Sequence, residues 1–205
     1  MDISINIIIF QVVVLIFSAV IHEYMHGWMA DRLGDSTAKD AGRLTMNPIV
    51  HLDFFGSLLL PFLLVITGSP FVFGWAKPVP FNPYNLKDQK YGIAKVAIAG
   101  PAANLITALF FGFVLRFAPL GDNIMLITLL AIIVQINLLL MIFNLVPIPP
   151  LDGSKVLMPF LPVEARNSYM KLERYGMILV MFFIIFAFNL IIPIINFLFR
   201  LIVGI

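Results

Sequence analysis

The chain has 205 residues, of which 61% are hydrophobic and 12% charged, with a mean hydropathy of +1.02. A soluble domain carries about twice that share of charge, so most of this surface faces something other than water. A net charge of +2 is too balanced for a nucleic-acid binder, and the absence of cysteine excludes disulfides and thiolate metal sites.

Uncharged stretches organise the chain. They run about Ile3–Ile21, Phe54–Ala76, Val96–Leu115, Asn123–Leu151 and Tyr175–Phe199. A helix needs roughly 20 apolar residues to cross a bilayer core, and the first, third, fourth and fifth stretches read as spans. Asp2 stands where a cleaved leader has its positive region, and the first run is longer than such a leader needs; a spanning helix is expected instead. The second stretch is broken by Pro61, by the turn Thr67-Gly68-Ser69-Pro70 and by Lys77-Pro78-Val79-Pro80. It predicts a short helix to about Ile66, followed by an extended return through FVFGWAKPVP. Pro193 is expected to kink or end the last helix, and the sequence leaves open whether residues 175–205 form one helix or two. The fold class is therefore an all-α polytopic membrane protein, with about four to six transmembrane helices and a re-entrant or extended segment. Residues 1–205 read as a single domain, with a core over about 3–155 and C-terminal membrane helix or helices over about 172–203.

Lys and Arg orient these spans. Residues 32 to 95 carry Arg32, Lys39, Arg43, Lys77, Lys87, Lys90 and Lys95, the connection after the third run has only Arg116, and residues 155 to 174 carry Lys155, Arg166, Lys171 and Arg174. If the second run enters the membrane and returns, both basic segments lie in the cytoplasm and residues 116–122 lie outside. Irregular backbone at membrane depth is allowed where it lines a cavity within protein.

The end of the first run reads HEYMH, residues 22–26. His22 and His26 stand at i and i+4, on one face of a helix and about one turn apart. That spacing lets two imidazoles hold one metal, while Glu23 can reach a water at the metal and serve as general base. Ionisable residues within a spanning helix are costly and point to function. A catalytic zinc takes a third protein ligand and keeps one position open. Depth favours Asp152: the fourth run ends in NLVPIPPLDG, residues 144–153, on the side where the first helix places His22. Asp152 has a plainer reading as the N-cap of a short helix starting near Ser154. His51 and Asp53 in NPIVHLD are compatible with a second metal site but fit an interfacial hydrogen bond better.

HEYMH on a membrane helix, GPAAN at residues 100–104 and NLVPIPPLDG together resemble the site-2 protease family, and FGWAKPVP and NPIVHLDFFG resemble short segments of its compact prokaryotic members. The resemblance spans about Ile21 to Lys155. It implies a zinc-dependent intramembrane endopeptidase with one zinc per chain, acting on membrane-spanning protein substrates in a prokaryotic cell (inner) membrane. It implies His22, His26 and Asp152 as metal ligands and Glu23 as catalytic base. It carries the family's GPxxN motif onto Gly100, Pro101 and Asn104, with the asparagine near the active site. Asn104 and Asn144 are candidate donors to the oxyanion or the substrate backbone, against a plainer role as interhelical hydrogen-bonding residues. No PDZ or CBS segment is recognisable. Two rival classes are a metal transporter using the HExxH pair as a transit site and a non-catalytic membrane scaffold. A transporter would carry further ligands through several spans, and the remaining spans lack acidic residues.

Overall fold

The computed structural model describes residues 3–59, 63, 66 and 76–204. The helices are α1 (Ile3–Arg32), α2 (Thr37–Asp40), α3 (Pro48–His51), α4 (Gly92–Phe117), α5 (Ile124–Leu145), α6 (Asp152–Leu157), α7 (Val163–Leu172), α8 (Gly176–Phe186) and α9 (Ile192–Val203). There is no strand among the described residues. Helices α1, α4 and α5 are long and apolar enough to cross a membrane, and the bent C-terminal pair of segments, residues 163–186 and 188–203, adds a fourth crossing if it acts as one span. Among the described residues this is the lower end of the expected number.

These sequences become helices because every backbone polar group must be satisfied within a segment once water is absent. Along α1, Ile5, Ile8, Ile9, Val12, Val13 and Phe17 are all exposed. A helix that is apolar around its whole circumference, with large exposed side chains, faces lipid. Its 30 residues amount to about 45 Å at 1.5 Å each. His22 therefore lies about 15 Å inward of Arg32, at the end of the apolar run.

Helix α4 is the inner member. It packs against α1 and α5, and α9 folds back onto both α4 and α5. Its buried face is built from small residues: Ala97, Ala99, Gly100, Ala103, Ala108 and Gly112. Within a membrane, apolar side chains gain little by leaving lipid, and small residues let helices associate through close backbone packing. Gly112 illustrates this: a Cβ there would stand 2.2 Å from Ile202 Cγ2 of α9.

Two expectations on the C-terminal third are resolved. Residues 175–205 form two helices, α8 and α9, separated by a 3₁₀ turn at Phe188–Leu190 and bent by 63°. Pro193 neither kinks nor ends a helix; it sits in the first turn of α9, where its missing N–H costs nothing because that position has no intrahelical acceptor.

The second apolar run begins with a π-helical turn at Phe54–Leu59. Leu63 and Ile66 are helical; the intervening prolines and turn, and the FVFGW part of the expected return, lie outside the described residues. The ends of the run are informative. Lys77 N–H donates to the carbonyl of His51 at 2.8 Å, so the chain comes back to where it departed. A segment that crossed once and stayed across could not make that bond. Beyond it, Asp35 gathers the loop after α1. Its carboxylate accepts from Thr37 N–H and hydroxyl, from Asn82 N–H at 2.6 Å and from Asn85 Nδ2 at 2.9 Å, which ties residues 82–85 to the end of α1.

Candidate metal centre

Three elements converge on one point. The i, i+4 spacing sets the imidazoles of His22 and His26 on one face of α1, edge to face with ring centroids 4.6 Å apart. Asp152 is the first residue of α6, one position after the N-cap residue Leu151; its Oδ2 lies 3.0 Å from His22 Nε2 and 3.1 Å from His26 Nε2. The expected plainer role for Asp152 was as a cap, and its carboxylate points to the histidines instead. Gly153 makes this turn possible, because a Cβ there would stand 2.2 Å from the Leu145 carbonyl oxygen at the end of α5.

The outer nitrogens of both rings are committed. His26 Nδ1–H donates to Val96 O at 2.7 Å; a carbonyl only accepts, so the proton is on Nδ1. His22 Nδ1 meets Asn104 Oδ1 at 2.6 Å. Asn104 Nδ2 faces the carbonyl of Ser18 at 3.2 Å, which fixes the amide with its oxygen toward His22, so Nδ1 carries that proton also. With the proton on Nδ1, each ring in its neutral form presents a bare Nε2 to the carboxylate. Two ring lone pairs that face one carboxylate oxygen at 3.0 and 3.1 Å suit a cation held between them, and two imidazoles plus one carboxylate form a donor set of the kind catalytic zinc takes. Tetrahedral ligands at about 2.1 Å from zinc lie roughly 3.4 Å from one another, a few tenths beyond the spacing seen.

Glu23 lies beside this triangle, half-buried. One ligand atom from each of His22, Glu23 and His26 falls within 4.8 Å of the others. The Glu23 carboxylate is held by Val79 N–H, which donates to Oε2 at 2.9 Å. Val79 belongs to the returning segment, and Arg43 pins that segment by donating from Nη2 to Lys77 O at 2.9 Å and to Pro78 O at 3.5 Å. From Lys77 to Val79 the main-chain groups named here are already engaged, so an incoming strand would have to pair elsewhere or displace them.

The two asparagines part company. Asn104 is fully buried and both hydrogens of its amide are spent, on Ser18 O and on Asn137 Oδ1. It orients His22 and has no donor left for an oxyanion. Asn144 donates to Leu140 O, one turn back on its own helix, at 2.9 Å, and takes no part in the bonds among His22, His26 and Asp152. His51 is buried, with Nε2 2.8 Å from Thr45 O. Asp53 accepts from Gly56 N–H, so both side chains of NPIVHLD singled out as candidates make hydrogen bonds to nearby main chain.

Sequence reasoning placed Gly100 in a motif without its steric reason. A Cβ on Gly100 would stand 2.5 Å from His26 Nε2 and 2.6 Å from His22 Nε2. The glycine lets α4 lie directly against the two imidazoles. Val79 also went unassigned, with the prolines around it as its only sequence signal, and Arg43 was read only as one of the charges that orient the spans.

The profile of peptidase family M50 matches residues 118–188, the part containing α5 and Asp152. A candidate zinc metalloprotease, YwhC of Bacillus subtilis (strain 168), is 38% identical over 177 residues, covering 82% of this chain and 77% of the relative. The chain belongs to peptidase family M50. Other relatives are named in the same provisional way as zinc metalloproteases: Rip2 of Mycolicibacterium smegmatis, 30% identical over 171 residues with 83% of this chain and 64% of the relative covered, and MJ0611 of Methanocaldococcus jannaschii, 32% identical over 159 residues with 75% and 72% covered. No solved structure gives a significant match. Membership of this family of zinc metalloproteases, the site-2 proteases, agrees with the multi-pass helices and with the His-Glu-His group.

Proposed function

We propose that this M50 peptidase is a zinc-dependent intramembrane endopeptidase that cuts membrane-spanning protein substrates in a prokaryotic cell membrane, its whole length forming one catalytic domain. The observation that carries this reading is the triangle of His22 Nε2, His26 Nε2 and Asp152 Oδ2, with 3.0 and 3.1 Å edges, at the inner end of an apolar helix and beside Glu23. His22, His26 and Asp152 would hold one zinc per chain. When bound, the ion supplies Lewis-acid polarisation of the scissile carbonyl and acidifies a water toward a pKa of about 7.

The chain's own groups supply the rest. Glu23 accepts the proton of the attacking water on one carboxylate oxygen and returns it to the leaving amine, while Val79 N–H steadies the other oxygen. Asn104 and Val96 O hold the rings so that their lone pairs stay turned to the centre. Asn144 has one amide hydrogen beyond its bond to Leu140 and remains the candidate donor to substrate, since Asn104 has none. Arg43 and the returning segment close one flank of the site. A substrate helix hides its carbonyls in hydrogen bonds, so it must unwind locally before any carbonyl reaches Glu23.

The test separates binding from chemistry. Purified protein should hold about one zinc per chain by elemental analysis. His22→Ala and His26→Ala should empty the site. Glu23→Gln should retain zinc and lose cleavage of a reconstituted transmembrane substrate by about 10²- to 10⁴-fold, the usual share of a general base. Full zinc in both histidine variants would overturn the ligand assignment, and a Glu23→Gln enzyme cutting at the wild-type rate would overturn the base.

A further inference from the structure

We infer that Asn137 of α5 is a positioning residue for the metal centre, acting on His22 through Asn104. It rests on the reading of His22 as a ligand. Asn137 is fully buried and is the one polar side chain on the buried face of α5, at membrane depth, where buried polar side chains are rare and point to function. Its three bonds run in a definite order. Asn137 Nδ2 donates to Ile133 O at 2.9 Å and to Ser18 Oγ at 3.0 Å. The Ile133 carbonyl only accepts, so it fixes which end of the Asn137 amide is NH₂ and turns Oδ1 toward α4. Asn137 Oδ1 then accepts from Asn104 Nδ2 at 3.0 Å. That leaves Asn104 Oδ1 facing His22 Nδ1 at 2.6 Å.

A flipped Asn104 would offer NH₂ to Nδ1 and move the imidazole proton to Nε2, between the ring and Asp152. The site would then hold a hydrogen where it needs a lone pair. Two acceptors oppose that flip, Ser18 O and Asn137 Oδ1. Ser18 belongs to α1, so the same four residues also tie α1, α4 and α5 together at the level of the ligands. Partners beyond the ligand shell that set a histidine's tautomer typically change metal affinity 10- to 100-fold. Asn137 stands one bond further out and shares its task with Ser18, so we place its effect near the low end, about tenfold.

The experiment uses the full chain in detergent, with zinc Kd measured by chelator competition and melting temperature measured on the apo protein. Asn137→Leu, which removes the acceptor, should raise the zinc Kd about tenfold. Asn137→Asp keeps an oxygen facing Asn104 and should bind zinc nearly as the wild type does, even though a buried acid lowers the melting temperature. A purely structural asparagine predicts the opposite: zinc affinity would follow melting temperature. In the pair Asn104→Leu and Asn137→Leu the losses should not add, because the second acts through the first. Nitrogen-15 shifts of His22 in apo protein should change from the Nδ1–H form to a mixture in Asn137→Leu. Unchanged zinc Kd in Asn137→Leu, or losses that add, would overturn the inference. If the leucine variant does not fold, Asn137→Ala carries the same comparison. Retained zinc in His22→Ala would instead overturn the ligand reading beneath it, so the two failures are distinguishable.

Discussion

Adding one methyl group to Gly100 should weaken the metal centre without touching a ligand. An ideal Cβ at that position stands 2.5 Å from His26 Nε2, and 2.6 Å from both His22 Nε2 and His26 Cε1. Ordinary contacts between heavy atoms begin near 3.5 Å, so roughly 1 Å of room is missing on two rings at once. Neither ring is a loose end. His22 is fastened to Asn104 and His26 to Val96 O, so relief requires α4 to back away from α1 or the rings to turn from Asp152. Overpacking of this kind costs about 1–3 kcal/mol. At about 1.4 kcal/mol per tenfold, the zinc Kd of Gly100→Ala should rise roughly 5- to 150-fold, with cleavage falling at limiting zinc. Gly112→Ala is the matched control on the same helix: its Cβ would clash with Ile202 Cγ2, far along α4 from the histidines, and should lower melting temperature while leaving zinc affinity alone. Chelator competition on the purified full chain reads both. Wild-type zinc affinity in Gly100→Ala, or an equal loss in Gly112→Ala, would refute the claim that Gly100 is small in order to seat the imidazoles.

Arg43→Ala should release the segment from Lys77 to Val79 and lower cleavage while zinc content stays at one per chain; loss of zinc in that variant would mean the segment supports the ligands themselves. Asp35 is depressed below its ordinary 3.8: burial pushes its carboxyl up, but bonds from the Thr37 hydroxyl, Asn82 N–H and Asn85 outweigh it. A depressed folded pKa means that the stability it contributes is present above 3.8 and is lost as pH falls through the folded value. Wild type should therefore destabilise more steeply than Asp35→Asn on acidification below about pH 4, read by hydrogen exchange over residues 33–43 and 82–87, and parallel profiles would reject this. Single cysteines at Asp40, Asn85 and Gly121 should divide, with only the last labelled by an impermeant thiol reagent on intact cells; labelling at position 85 from outside would remove the re-entrant reading of residues 54–76.

The candidate ligand pair was legible because HEYMH stands on a helix whose period puts His22 and His26 on one face. Asp152 was legible for a different reason: charge placement ordered the spans, and the end of the fourth apolar run then shared its depth with the end of the first. Asn104 and Asn144 could not be told apart. Each is a lone amide at membrane depth, and only packing reveals that Asn104 spends both hydrogens on neighbours while Asn144 turns back on its own helix. The break between α8 and α9 was hidden for a related reason. Only Asn189 and Asn196 interrupt the apolar run FFIIFAFNLIIPIINF, and a single amide does not distinguish a bent pair from one long helix; Pro193 is as acceptable at a helix start as it is disruptive within one.

The accuracy of the site is set less by the helices that carry its ligands than by the one between them. His22 and Asp152 are 130 positions apart, on α1 and on the turn that follows α5. Both α1 and α5 pack against α4, and α6 rests on α4 as well. A change in the thickness of α4 beside the histidines therefore alters the distance between the imidazoles and the carboxylate. Its buried face is mostly Gly and Ala, with Val96 and Pro101 beside them and Asn104 as the one polar residue. A small face gives each neighbour a single seating depth, because backbone contacts do not slide as long side chains do. The asparagine then supplies what small residues cannot, a directional bond that fixes the rotation of a ring. On this view the part of α4 beside the histidines works as a gauge block, and substitutions at Gly100 and Asn104 should be read in zinc affinity before they are read in stability.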